Sequence, residues 1–135
     1  MKLTDILSDS FNPQEWEAKG YELPKYDIKA VAAKTYEAPT WVHFGAGNIF
    51  RGFIANLQHE LLNAGEVKGG IVACDTFDYD NITMIYNAYD SLTMLVLLMP
   101  DGSMKKEVVA SISKGLRVGP QFTEEMDQLK AIFRN

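Results

Sequence analysis

The sequence predicts an α/β fold, and three observations carry that prediction. A β-rich run, Thr40 to Phe44, meets Gly45-x-Gly47. Next comes Asn48 to Asn63, which has no proline, and after Gly52 no glycine occurs until Gly65. A second apolar run, Gly69 to Cys74, then ends at Asp75. Strand, helix and strand occupy about 35 residues, the size of one βαβ unit. Such a crossover is right-handed and its two strands are parallel.

The N-terminal residues, 1 to 38, are polar and aromatic without a clean period. Asp9-Ser10 and Asn12-Pro13 mark a turn, and Pro13 suits the first turn of a short helix through Trp16 that Gly20 ends. Leu23-Pro24 reads as extended. Asp27 is placed to cap a second helix, Ile28 to Tyr36, which Pro39 stops. This region is expected to be an extension packed on the main domain, with Trp16 and Tyr21 as anchors.

From Asn48 to Asn63, Ile49, Phe53, Ile54, Leu57, Leu61 and Leu62 recur at spacings that put one helical face inward. Asp80 to Tyr89 is mixed, and Ile82, Met84 and Ile85 fit either a short helix or a loop. Leu92 to Met99 and Met104 to Ser113 are β-like runs around the turn Pro100-Asp101-Gly102-Ser103, so an antiparallel hairpin is expected. Lys105, Lys106 and Glu107 would be solvated at its tip, and the Met and Leu residues from Met94 to Met104 would be core. Thr123 would cap a closing helix through Leu129, Ile132 and Phe133.

The chain has 135 residues, 47% of them hydrophobic, enough for one domain with a core. A net charge of −5 argues against a nucleic acid or an anionic membrane as partner. The lone cysteine, Cys74, permits no intrachain disulfide and fits a reducing, cytoplasmic setting. No N-terminal segment has the pattern of a signal peptide, and the run Leu92 to Pro100 is too short to span a bilayer.

The glycine turn carries the chemistry. Gly45 allows a tight turn out of the strand, and Gly47 lets backbone approach a pyrophosphate at a helix N-terminus. The strict G-x-G-x-x-G is not met, because position 50 is Phe50 and the next glycine is Gly52. The bland alternative is a turn that only lets helix and strand pack closely. Asp75, 23 residues past Gly52, stands where an acid accepts hydrogen bonds from an adenosine ribose and repels a 2′-phosphate, which favours NAD over NADP. It is also placed to cap Thr76-Phe-Asp-Tyr. Arg51 could reach phosphates or pair with a surface acid such as Glu60. Asn48 is a good cap at the helix start and could also face a cofactor.

His43, inside the first strand, reads as a core or interface histidine, His59 as a surface residue and Cys74 as core. No residues have metal-ligand spacing, and none has the setting of a catalytic nucleophile. The candidate cofactor-binding residues are Gly45, Ala46, Gly47, Asn48, Ile49, Phe50, Arg51 and Asp75; no catalytic group is assigned.

The run His43-Phe-Gly-Ala-Gly-Asn-Ile-Phe-Arg-Gly-Phe53 closely resembles the N-terminal fingerprint of the long-chain mannitol dehydrogenase family. That family includes mannitol 2-dehydrogenase, mannitol-1-phosphate 5-dehydrogenase, and the fructuronate and tagaturonate reductases. Asp75 at a strand end, Asp90-Ser-Leu-Thr, Asp101-Gly102 and Ser111-Ile-Ser113 add to the resemblance, which covers roughly residues 40 to 118. It implies a zinc-independent, NAD(P)-dependent oxidoreductase of polyols or keto-sugar acids. It also implies a Rossmann-type N-terminal domain and a largely helical C-terminal domain. The family's catalytic lysine, with its helper asparagine and histidine, lies further along than this chain reaches, so no catalytic residue transfers.

The expected fold is thus a partial Rossmann-type dinucleotide-binding domain, a βαβ unit plus antiparallel hairpin, with an N-terminal helical extension. Residues 1–38 would be the extension. Residues 39–135 would be the first part of the NAD-binding domain, the helical substrate domain lying outside the chain. The expected function is the NAD-binding part of an oxidoreductase acting on a small polyol or sugar acid, with this chain alone inactive. The rivals are a non-catalytic nucleotide-binding module and an inactive fragment, whose exposed apolar edges would promote self-association.

Overall fold

The computed structural model describes residues 1–134, which form two three-stranded sheets with helices around them. The N-terminal segment holds a 3-10 turn (Leu3–Leu7), α1 (Pro13–Ala18), the two-residue strand β1 (Tyr21–Glu22) and α2 (Ile28–Glu37). Pro13 opens α1 and Gly20 leaves it at φ +83°. The Asp27 carboxylate caps α2 by accepting from the Ala30 N–H at 3.0 Å. Trp16 is buried edge-on to Tyr21, with ring centroids 5.3 Å apart.

The parallel sheet runs β2-β3-β6, with β2 at Val42–Phe44, β3 at Ile71–Asp75 and β6 at Ile112–Arg117. The order from the third strand back to the first is that of one mononucleotide half of a Rossmann fold. The central strand β3 is buried along its whole length. Ile71 and Ala73 face one core, with Phe50, Ala55, Ile82 and Tyr86; Val72 and Cys74 face another, with Leu116 and Leu129. Leu129 belongs to α4 (Thr123–Arg134), which follows β6 and covers that second face.

The other sheet runs β1-β5-β4, with β4 at Thr93–Leu98 and β5 at Met104–Val109 paired antiparallel around residues 100–103. The expected hairpin is therefore present. The second β-like run, however, is two strands: β5 stops at Val109 and the chain passes into the parallel sheet as β6. Hairpin and crossover coexist, the hairpin being inserted between β3 and β6. The N-terminal segment does more than pack, since β1 adds a parallel strand beside β5.

Two further expectations fail here. Glu107 is 3% exposed rather than solvated, because β1 lies alongside it. Met94, Val96, Leu98 and Met104 are exposed rather than core, because they line the uncovered side of the β4 edge.

The helix after the glycine turn carries the largest local departure. It starts at Asn48, passes through a π-helical turn (Phe50–Ile54) and continues as α3 (Ala55–Asn63). Ala55, Gln58, His59 and Leu62 face inward at helical spacing, and the wide turn then brings Phe50 inward, five residues before Ala55. The predicted inward face is thereby overturned in part. Ile54 and Leu62 do pack inward, but Ile49 is 83% exposed and Phe53 63%, while Phe50 is 4% exposed. Leu57 and Leu61 also lie outside. A second π-helical turn (Asn81–Tyr86) follows β3 and buries Ile82 and Tyr86 against β6. Among the described residues no helix is long and apolar enough to cross a membrane.

Candidate cofactor site

Backbone builds the site. The Gly45 N–H donates to the Cys74 carbonyl at 2.7 Å, which carries the β2–β3 pairing to the carboxyl end of the sheet. Gly45 then turns at φ +120°, a conformation that L side chains rarely adopt. Gly47 differs: its φ is not positive and no atom lies within 4 Å of where a Cβ would stand. Neither strain nor packing calls for glycine at 47, and the space before it is open. The first helical bond runs from the Arg51 N–H to the Gly47 carbonyl, at 3.1 Å. The N–H groups of Asn48, Ile49 and Phe50 then have no intrahelical acceptor, which makes a helix start suited to an anion.

The side chains sort by what they touch. Ala46 and Phe50 are buried, so a ligand would meet them through backbone. His43 is half-buried; it stacks on Phe50 at 4.1 Å between ring centroids and its Nδ1 lies 2.9 Å from the Gly45 carbonyl, so it braces the turn. Arg51 pairs with no acid among the described residues. Its Nε donates to Thr93 Oγ1 at 3.2 Å and its Nη1 to Asn48 Oδ1 at 3.3 Å, which holds the guanidinium at the helix start. Ile49 projects into solvent.

Asp75 ends β3 and is buried. Its Oδ1 accepts from the N–H groups of Phe77 at 3.0 Å and Asp78 at 2.8 Å, and its Oδ2 from Asn81 Nδ2 at 3.1 Å. The capping alternative weighed from the sequence is thus realised. A carboxylate has about four acceptor positions, so one on Oδ2 remains.

Sequence reasoning missed Tyr86. It is buried, and its hydroxyl donates to the Ala46 carbonyl at 2.9 Å, in the middle of the glycine turn. The Arg51 guanidinium lies 5.9 Å from its ring centroid. Burial raises its pKa, so the hydroxyl stays a donor. No local motif signals this contact, because 40 residues separate the partners.

His59 is also corrected. It is 1% exposed, with Nδ1 2.6 Å from the Tyr26 hydroxyl and Nε2 3.2 Å from Asn63 Nδ2. Burial, and then the positive charge of Lys105, lower its pKa to about 4. The N-terminal extension supplies Tyr26 and covers the ring, which the sequence pattern of the helix alone does not show. Cys74 is buried as expected, and burial raises its thiol to about 11. Among the described residues no group of His, Cys, Asp and Glu is placed to hold a metal.

No protein-family model matches the chain. The D-mannonate oxidoreductase of Thermotoga maritima is 41% identical over 120 residues, which is 89% of this chain and 22% of that protein. A solved D-sorbitol dehydrogenase in substrate-free form superposes with a TM-score of 0.60 at 26% identity, over 73% of this chain and 19% of that one. This chain is similar to part of each of these two proteins. The fold also matches Pseudomonas fluorescens mannitol 2-dehydrogenase, solved as a ternary complex with NAD and D-mannitol. That match has a TM-score of 0.65 at 21% identity, over 88% of this chain and 23% of that one. The chain spans about a fifth of the length of these relatives.

Proposed function

We propose that this chain is the part of an oxidoreductase that holds the adenosine and pyrophosphate of NAD. Gly47 carries the reading: a glycine that neither backbone strain nor packing requires, with open space before it, at the first turn of a helix. The pyrophosphate would lie against the N–H groups of Gly47, Asn48, Ile49 and Phe50. Arg51, already oriented by Thr93 and Asn48, would add a positive charge beside it. The remaining acceptor position on Asp75 would take a ribose hydroxyl, and its negative charge would disfavour the 2′-phosphate of NADP. Gly45 and Ala46 would shape the turn.

The domain division follows: residues 1–38 an extension, residues 39–135 the first part of the NAD-binding domain, with the substrate domain outside the chain. When bound, NAD would supply the hydride acceptor. The whole protein would move hydride between nicotinamide and a secondary alcohol or ketone of a small polyol or sugar acid. The sugar-acid arm, to which fructuronate reductases belong, is supported by the 41% identity to a protein named for D-mannonate. A single buried thiol and the acidic balance fit a reducing cytoplasm without nucleic-acid or membrane partners.

Calorimetry of NADH, ADP-ribose and NADPH against this chain tests the reading. Micromolar-to-millimolar binding of NADH and ADP-ribose, weaker for NADPH and weakened by Asp75→Ala, is expected. Absence of NADH and ADP-ribose binding would overturn it.

A further inference from the structure

We infer that Tyr86 is a positioning residue for the cofactor turn: its hydroxyl locks the Ala46–Gly47 peptide so that the Gly47 N–H faces the pyrophosphate. This rests on the reading of the turn as a dinucleotide site. A trans peptide points its C=O and N–H in opposite directions. The Ala46 carbonyl accepts from the buried Tyr86 hydroxyl at 2.9 Å, so it points into the protein. The Gly47 N–H on the same peptide therefore points outward, and it donates to no protein group among the described residues. With glycine at 47 on one side, this peptide meets less steric resistance to flipping than one between two residues that carry Cβ atoms. A flipped peptide would present the Ala46 carbonyl oxygen to the phosphates in place of a donor. The cost would be felt twice, as a lost hydrogen bond and as a repulsion.

The surroundings fix Tyr86 itself. It closes the second π-helical turn, and its carbonyl accepts from the Ser91 N–H at 2.7 Å. Ser91 and its neighbour Asp90 both sit at positive φ, 60° and 55°, so the chain tolerates strain just beyond the tyrosine. Gly115 of β6 makes room for the ring: a Cβ there would stand 3.0 Å from Tyr86 Cβ and 3.1 Å from Ile82 Cδ1. The same ring lies under Arg51. One side chain thus sets the donor of the turn through its hydroxyl and backs the cation of the helix through its face.

Tyr86→Phe separates these two roles, since it keeps the ring and removes the hydroxyl. The expected result is NADH binding weakened about tenfold, one good hydrogen bond's worth. The Gly45 and Gly47 amide resonances of the ligand-free variant should broaden or move. Ile82→Val serves as the control: it trims the same core and should lower the melting temperature without changing NADH affinity. Gly115→Ala, which pushes the ring from its seat, should reproduce the affinity loss. In the wild-type chain, the Tyr86 hydroxyl proton and the Gly47 amide should shift together as NADH binds.

Wild-type affinity in Tyr86→Phe with an unchanged Gly47 amide would overturn the inference and leave the dinucleotide reading standing. Equal affinity losses in Tyr86→Phe and Ile82→Val would overturn it too, reducing Tyr86 to a core residue. Failure of the wild-type chain to bind NADH would instead overturn the dinucleotide reading, and this inference with it.

Discussion

Gly45 and Gly47 are two residues apart and are glycines for different reasons. At φ +120°, Gly45→Ala carries backbone strain of about 1–3 kcal/mol, and the melting temperature should fall accordingly. Gly47→Ala meets nothing in the protein, so its melting temperature should stay within error while NADH affinity drops at least tenfold. Thermal melts beside calorimetry read both. A Gly47→Ala variant that binds as wild type would remove the ligand from the account of that glycine. His59 makes the other prediction at this scale. Its folded pKa of about 4 lies below the ordinary 6.5, so between those values the unfolded chain binds more protons. The His59 contribution to stability should therefore fall as pH drops from 6.5 to 4, by of order 3 kcal/mol, and level off below. The groups that face the ring are the Tyr26 hydroxyl, the Asn63 amide, the Ala110 N–H and Lys105; a His59→Gln variant should lose that part of the slope in urea titrations. The turn at Gly45 and the capping by Asp75 could be picked out in the sequence because each is set by local backbone. Tyr86 and His59 could not, because each is defined by a partner more than 30 residues away.

The helix behind the turn shows how an element can be read correctly and faced wrongly. Its extent, from Asn48 to Asn63, follows from the absence of proline and, past Gly52, of glycine. Its face does not, because an α-helical period was assumed where the chain makes an i→i+5 turn. That turn exchanges Phe50 for Phe53 at the core. Phe50→Ala should cost about 3–5 kcal/mol, the usual price of a large core truncation. Phe53→Ala should stay within about 0.5 kcal/mol, as exposed positions do. Chemical denaturation of the two variants measures this directly, and the reverse order would restore the simple helical face. The strand β6 was hidden for a related reason. Val108 to Ser113 is uniformly apolar or small, so nothing in its pattern announces that the chain leaves one sheet at Val109 and enters another at Ile112.

The molecule as a whole is one mononucleotide half with an inserted hairpin and an extension that closes the hairpin's sheet. The parallel pair β2 and β3 and the glycine turn were legible because βαβ units carry their signals in short range. The second sheet's assembly was not, since β1 is only two residues long and finds β5 across some 85 residues of chain. The N-terminal segment is part of the fold: Ile6 and Trp16 share a core with Leu92, Val108 and Ala110. Deleting residues 1–38 should therefore yield an aggregating chain, read by light scattering, whereas a soluble and cooperatively melting product would show that the extension is dispensable. The outer side of β4, with Met94, Val96 and Leu98 exposed, is apolar and borders a free edge, which favours self-association of the isolated chain. Sedimentation of wild type beside Val96→Lys should show the variant less associated.

The Gly45–Gly47 turn and the helix start behind it are proposed to hold a pyrophosphate. The most direct measurement is a titration of the isotopically labelled chain with ADP-ribose, following backbone amide resonances. The Gly47 and Asn48 amides should move most, with Arg51 and the Asp75–Phe77 segment next. Saturable shifts confined to other surfaces, with Gly47 and Asn48 unmoved, would contradict the proposal.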